Sequence, residues 1–233
     1  FIIQVEGPNA MKVLAAASDE GMPDPFGYFA MTRVKFGGQE LVITSTGYTN
    51  ELGWEFYTEP HHDADALWQH LKQAGEPYGI DIFGLDSMHI RRIEAGILNA
   101  GSDFDDSTTP YDVGLGIFVD QDKGDFIGQA ALKAATKRTR LIDILCVAEP
   151  HIGAAIMLDG QTIGKVTAGA TSPYLKQGIG IALMFKSGYP PDTVVSVGCV
   201  DGTLHKGQLA ELPLYDKAGA IQRGMMTEIP VRD

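Results

Sequence analysis

The sequence is short of the features that usually announce a chemistry. It holds two cysteines, Cys146 and Cys199, far apart along the chain. So few exclude a disulfide framework and a cysteine-built metal site. Both lie in apolar, strand-like surroundings, which reads as small buried residues in a reducing compartment and points to a cytoplasmic protein. No apolar run approaches the roughly 18 residues that a membrane helix needs. Positive charge is scarce: 18 Lys and Arg stand against 30 Asp and Glu, a formal net charge of -12. Nucleic acid binds mainly through Lys and Arg on phosphate, so neither nucleic acid nor an anionic membrane surface is an expected partner. There is no phosphate loop, no nucleophile elbow and no metal-ligand spacing. The acidic run Asp103-Phe104-Asp105-Asp106-Ser107 lacks the glycine and the closing glutamate of a calcium loop. His61 and His62 stand together with no evident third ligand.

What is present reads as a globular protein. Hydrophobic residues make up 44% and charged residues 21% of 233 positions, which suits one large domain or two modest ones. Phe1 to Val5 reads as a buried strand. No signal peptide frames it and no methionine precedes it, so the expectation is a piece of a longer protein.

Periodicity outlines the remainder. Asn9 is placed to cap a helix over Ala10 to Ala17. Phe29–Phe36 and Glu40–Ser45 flank Gly37-Gly38, a hairpin signal. Trp54 to Thr58 reads as a strand. Asp63 to Ala74 carries Ala64, Leu67, Trp68 and Leu71 on one helical stripe and should close at Gly75. Further helices are expected over Leu85–Glu94 and from Ile127 to near Thr136, with a long polar loop over 99–112.

After Arg140 the pattern changes to short strand-like runs: Leu141–Val147, Ala154–Leu158, Thr162–Val166, Ile179–Phe185, Thr193–Val197, Thr203–Leu209 and Glu211–Leu214. This reads as an antiparallel β-domain of barrel or sandwich type. The segment Gly164 to Gly169 reads as a β-turn region. The boundary gives domains over 1–137 and 138–233.

Two segments stand out as candidate site elements. The first is Gly47-Tyr48-Thr49-Asn50-Glu51-Leu52-Gly53-Trp54-Glu55. A carboxylate at Glu51, on a glycine-flanked turn, suits bidentate recognition of an amino-pyrimidine edge, and it equally suits a solvated turn. Tyr48 and Trp54 suit stacking on a flat ring, or simple core packing. The second is Arg92-Ile93-Glu94-Ala95-Gly96, where Arg92 suits a grip on a ligand carboxylate or an ordinary helix ion pair.

In order along the chain, these segments resemble the aminomethyltransferase family, the folate-dependent proteins typified by the glycine cleavage T-protein. The family's Gly-Tyr-Thr-Gly-Glu-x-Gly-x-Glu is similar to Gly47–Glu55, with Asn50 in place of a glycine. Its Leu-Arg-Leu-Glu-Ala-Gly is similar to residues 91–96. Its Thr-Thr-Pro, Gly-Leu-Gly and Asp-Phe-Ile-Gly resemble residues 108–110, 114–116 and 125–128. Its Gly-x-Val-Thr-Ser-Gly-x-x-Ser-Pro resembles residues 164–173.

The resemblance implies an α+β fold: a folate-binding domain lacking its N-terminal part, then a C-terminal antiparallel β-barrel. It implies tetrahydrofolate as cofactor and aminomethyl or methyl transfer from a small-molecule donor, an amine, a sulfonium or a lipoyl-bound aminomethyl group. Glu51 is then the pterin ligand, with Tyr48, Trp54 and Arg92 lining the same site. The family's catalytic aspartate would lie before Phe1, so no catalytic residue is named. Two other T-protein ligand positions fall at Met88 and Ala100. The alternatives are a fragment inactive alone, or a folate-binding accessory protein without transferase activity. The accessory motif's cysteine is missing from Lys123-Gly124-Asp125-Phe126-Ile127-Gly128-Gln129.

Overall fold

The computed structural model describes residues 1–24 and 26–228. The chain divides into two compact units, Phe1–Arg91 with Asp216–Asp233, and Arg92–Tyr215.

In the first unit, β1 (Ile2–Glu6) leads into α1 (Ala10–Ala17), followed by β2 (Met31–Phe36), β3 (Gln39–Thr44), β4 (Gly53–Tyr57) and α2 (Ala64–Gly75). The strands form a four-stranded antiparallel sheet in the order β1-β4-β3-β2. The β2–β3 hairpin turns at Gly37 and Gly38, whose φ values of 56° and 80° suit the left-handed two-residue turn that glycines allow. Alternation then sends Val34, Phe36, Leu41 and Ile43 to one face, where they meet Phe56 and Trp54 of β4. Val13 and Leu14 of α1 and Leu67 and Leu71 of α2 close the same core.

Three local expectations are revised here. Asn9 makes no capping bond. Its amide donates to the Tyr78 carbonyl at 3.1 Å and its oxygen accepts from Lys12 at 3.0 Å. The tie to Tyr78 joins the start of α1 to the 3-10 turn that follows α2, which a cap would not do. Asp63 does cap α2, accepting from the Ala66 N–H at 2.9 Å. The α-helix does end at Gly75, but not through a left-handed glycine: Gly75 is right-handed at φ -85°, a 3-10 turn over Glu76–Tyr78 follows, and Gly79 stops that turn at φ 75°. Gly75 is small for packing reasons, since a Cβ there would lie 2.7 Å from Ile80. Trp68, expected on the buried stripe, is 38% exposed because it faces a cavity rather than the core.

Helix α3 (Leu85–Glu94) spans the residues its periodicity suggested. It stops at Gly96, φ 67°, with Gly96 N–H on the Ile93 carbonyl and Ile97 N–H on the Arg92 carbonyl, the paired bonds of a Schellman end.

The second unit contains α4 (Gln129–Ala134), shorter than expected because Gly128, at φ 89°, sets its start. Then follow β5 (Leu141–Cys146), β6 (Ala155–Leu158), β7 (Gln161–Ser172), β8 (Gln177–Met184), β9 (Val194–Gly198) and β10 (Leu204–Ala210). These six close into an antiparallel barrel in the order β10-β5-β8-β7-β6-β9. Residues 211–214 form no strand.

The segment 164–169 is not a turn. It belongs to the 12-residue strand β7, which pairs with β8 and shifts register between Val166 and Ala168. Its glycine serves close approach instead: a Cβ on Gly169 would lie 1.9 Å from the Pro150 carbonyl oxygen. Cys146 and Cys199 meet in the barrel core with their sulfurs 3.7 Å apart, both as free thiols. No helix among the described residues is long and apolar enough to cross a membrane.

Candidate functional site

The Gly47–Glu55 segment holds the turn joining β3 to β4 and the first residues of β4, and its conformation follows from its residues. Asn50 takes φ 62°, the left-handed conformation that glycine enters freely and asparagine tolerates. An asparagine can therefore stand where the family pattern has glycine. Its amide donates to Asp216 at 3.2 Å, which ties the turn to the returning C-terminal segment of the same unit.

Glu51 sits just past this kink. Its side chain is 11% exposed, and Oε1 accepts from Arg91 Nη2. Its own N–H donates to the Thr49 hydroxyl at 3.3 Å. The result is a largely desolvated carboxylate on a short, tightly bonded turn, with a guanidinium beside it. In such surroundings a carboxylate discriminates strongly among hydrogen-bond donors.

The remaining expected site residues are placed as follows. Tyr48 is half-buried, and its N–H donates to Glu6 Oε1 at 3.2 Å. Trp54 is 1% exposed, inside the core of the first unit, with Phe26 at a ring-centroid distance of 6.2 Å. Arg92 belongs to the second unit and is 2% exposed. Its Nη1 donates to Asp103 Oδ2 and, at 3.3 Å, to the Ile97 carbonyl. Asp103 also accepts from the Thr167 hydroxyl at 2.6 Å and the Asn99 N–H at 2.8 Å. Arg92 is thus engaged in a buried network that fastens the end of α3 to β7.

Two glutamates that the sequence reading passed over are prominent. Glu6, at the end of β1, accepts from Tyr48 N–H and from the Thr49 hydroxyl. Burial raises its carboxyl above the ordinary value; hydrogen bonds from Thr49 and Tyr48 oppose this, and the nearby charges of Glu55 and Glu51 add to it. Glu55 accepts from Gln4 at 2.8 Å, from the Tyr57 hydroxyl at 3.0 Å and from Thr46. Glu55 could be found as the last residue of the motif. Glu6 could not, because it reaches the turn only through the pairing of Glu6 with Gly53.

Both glutamates line a cavity of about 730 Å³ in the first unit. Its walls are β1, the start of α1, Trp68 and Lys72 of α2, the segment Tyr78–Gly84, and Leu85 and Met88 of α3. Volume and lining, apolar with a few convergent polar groups, are those of a small-molecule site.

Comparisons with known proteins agree with this architecture. The GCVT N-terminal domain family matches residues 1–123, and the glycine cleavage T-protein C-terminal barrel domain family matches residues 139–216. An aminomethyltransferase of Caldanaerobacter subterraneus subsp. tengcongensis is 36% identical over 187 residues, covering 78% of this chain and 50% of the relative. One from Streptomyces coelicolor is 34% identical over 226 residues, covering 93% and 60%. The crystal structure of glycine cleavage system aminomethyltransferase T from Bartonella henselae shares the fold at a TM-score of 0.78 and 24% identity, covering 93% of this chain and 60% of that one. The chain therefore spans about half to three-fifths of the length of the curated relatives it matches. An α+β unit with the Glu51 turn, followed by a closed six-stranded barrel, is the order in which the two families match. The chain belongs to the glycine cleavage T-protein family.

Proposed function

We propose that this chain is the folate-binding part of a tetrahydrofolate-dependent one-carbon transferase, moving an aminomethyl or methyl group. The observation that carries the reading is Glu51: a carboxylate 11% exposed, fixed on a kinked turn and paired with Arg91. A buried acceptor of this kind matches the amino and ring N–H donors along the edge of a pterin. Tetrahydrofolate, when bound, supplies the amine nitrogen that accepts the one-carbon unit.

The chain's own residues orient the cofactor rather than react. Glu51 takes the pterin edge, and Arg91 donates to the same carboxylate and fixes its orientation. Tyr48 stands beside it on the turn. Trp54 and Arg92 act at one remove, Trp54 by filling the core beneath β4 and Arg92 by anchoring the end of α3 through Asp103. The acidic balance of the chain suits a cationic donor, an amine or a sulfonium. The support from relatives is their name, aminomethyltransferase.

Isothermal titration of this chain with tetrahydrofolate, wild type against Glu51→Ala, tests the reading. Loss of a charge-assisted pair should weaken binding about tenfold or more. Equal affinities, or no binding to the wild type, overturn it.

A further inference from the structure

The glycines flanking Glu51 suggest a cradle kept open for a ligand, yet the protein fills that space itself. A Cβ on Gly47 would lie 2.1 Å from Glu6 Oε1, and one on Gly53 would lie 2.5 Å from Glu6 Cγ. The side chain of Glu6 is threaded between the two glycines. From there Oε1 accepts from Tyr48 N–H, and Oε2 accepts from the Thr49 hydroxyl. The same hydroxyl oxygen accepts from Glu51 N–H at 3.3 Å. Thr49 is 3% exposed, so bulk water does not compete for these bonds. An unbroken chain of hydrogen bonds runs from the Glu6 carboxylate, through Thr49, to the backbone of Glu51.

We propose that Glu6 is the positioning residue of the Glu51 site, setting the conformation of the Gly47–Glu51 turn through Tyr48 and the Thr49 hydroxyl. The inference rests on the reading of Glu51 as the pterin ligand. Glu6 also borders the cavity shared with Glu55, Lys72 and Asp81, so the lever lies within reach of bound molecules.

The relay depends on charge. As a carboxylate, Glu6 accepts at both oxygens; as a carboxylic acid, its O–H either displaces the bond from Tyr48 N–H or donates to the Thr49 hydroxyl and reverses that bond, so the relay changes on protonation. Burial keeps its protonation above the ordinary 4.5, with Glu55 and Glu51 adding to the effect and the Thr49 and Tyr48 bonds opposing it. Lowering the pH through that raised value loosens the turn while more ordinary carboxylates are still ionised. Affinity for the pterin falls over the same range.

The test follows the Glu51 amide proton and nitrogen shifts of the unliganded chain by NMR from pH 8 downward, alongside tetrahydrofolate affinity. In wild type the amide should titrate with a midpoint above 4.5, and Glu6→Gln should abolish that step. Thr49→Val should abolish it too and weaken tetrahydrofolate about fivefold, the scale of one lost hydrogen bond, while Thr49→Ser restores both. A purely structural Glu6 would leave the amide step intact in Thr49→Val, and that outcome overturns the proposal. So does Thr49→Ser behaving like Thr49→Val. If the amide follows Glu6 but affinity ignores both Glu6 and Glu51, the relay stands and the pterin reading falls. If Glu51→Ala abolishes binding while the amide ignores Glu6, the pterin reading stands and the relay falls.

Discussion

Glu51 and Arg91 form an ion pair, Nη2 on Oε1, although 40 positions separate them in sequence. Their side chains are 11% and 23% exposed. The contact joins the β3–β4 turn to α3, so a ligand that engages Glu51 also engages the helix.

This pair should therefore couple measurably. Glu51→Gln, Arg91→Met and the double variant form a mutant cycle, read by urea denaturation. Partial burial places the coupling at about 1–2 kcal/mol, above the exposed-pair range and below the fully buried one. Additive single effects would mean that the pair is an incidental contact.

Asp103 should prove a stability residue. It is fully buried and accepts from Arg92, Thr167 and Asn99. Asp103→Asn leaves the buried guanidinium of Arg92 without its countercharge, which costs about 3–5 kcal/mol. The check is the urea midpoint. A loss under about 1 kcal/mol would show that the network is not fastening the Arg92 end of α3 to β7.

Gly53→Ala should destabilise by about 1–3 kcal/mol, because its Cβ would sit 2.5 Å from Glu6 Cγ. In a Glu6→Ala background the nearest obstacle is gone, while Cβ at 3.1 Å and Cα at 3.2 Å remain, so part of that loss should vanish. Thermal melts of the four proteins decide it: strict additivity would place the strain elsewhere.

The thiol pair gives a prediction in pH. Burial pushes Cys199 up to about 12, assisted by the hydrogen bond it shares with Cys146 and by the charges of Cys146 and Asp201. A raised value favours the neutral thiol in the folded chain. The resulting stability is fully present below the ordinary 9.0 and is lost as pH climbs through about 12. Iodoacetamide at pH 8 should therefore leave Cys199 unlabelled in the native chain and label it after unfolding. Rapid native labelling would contradict the burial.

Much of the scaffold was legible in the sequence because its signals were local. Gly37-Gly38 marks a turn that glycine enters without strain, and the apolar spacing of Leu85–Glu94 with Gly96 behind it marks both ends of α3. The barrel followed from short runs between glycine and proline. One error has a packing cause: Gly169 is a glycine for want of room against the Pro150 carbonyl, and sequence alone reads such a glycine as part of a turn. The site divides in the same way. Glu51 was legible through its motif, whereas Glu6 arrives through strand register and Arg91 through the packing of α3. Arg92, one position along the helix, places its side chain on Asp103.

The two sheets differ in one respect with a practical outcome. The barrel closes on itself and leaves no strand edge, whereas the order β1-β4-β3-β2 leaves two. The β2 edge bears Arg33 and Lys35, the kind of charges that keep strands from stacking onto one another. The β1 edge reads Ile2-Ile3-Gln4-Val5, without a charge until Glu6, and Phe1 and Ile2 are 94% and 57% exposed. β1 is therefore the edge expected to seed any self-association of this chain, and Ile2→Lys should reduce the aggregate seen by light scattering at high concentration.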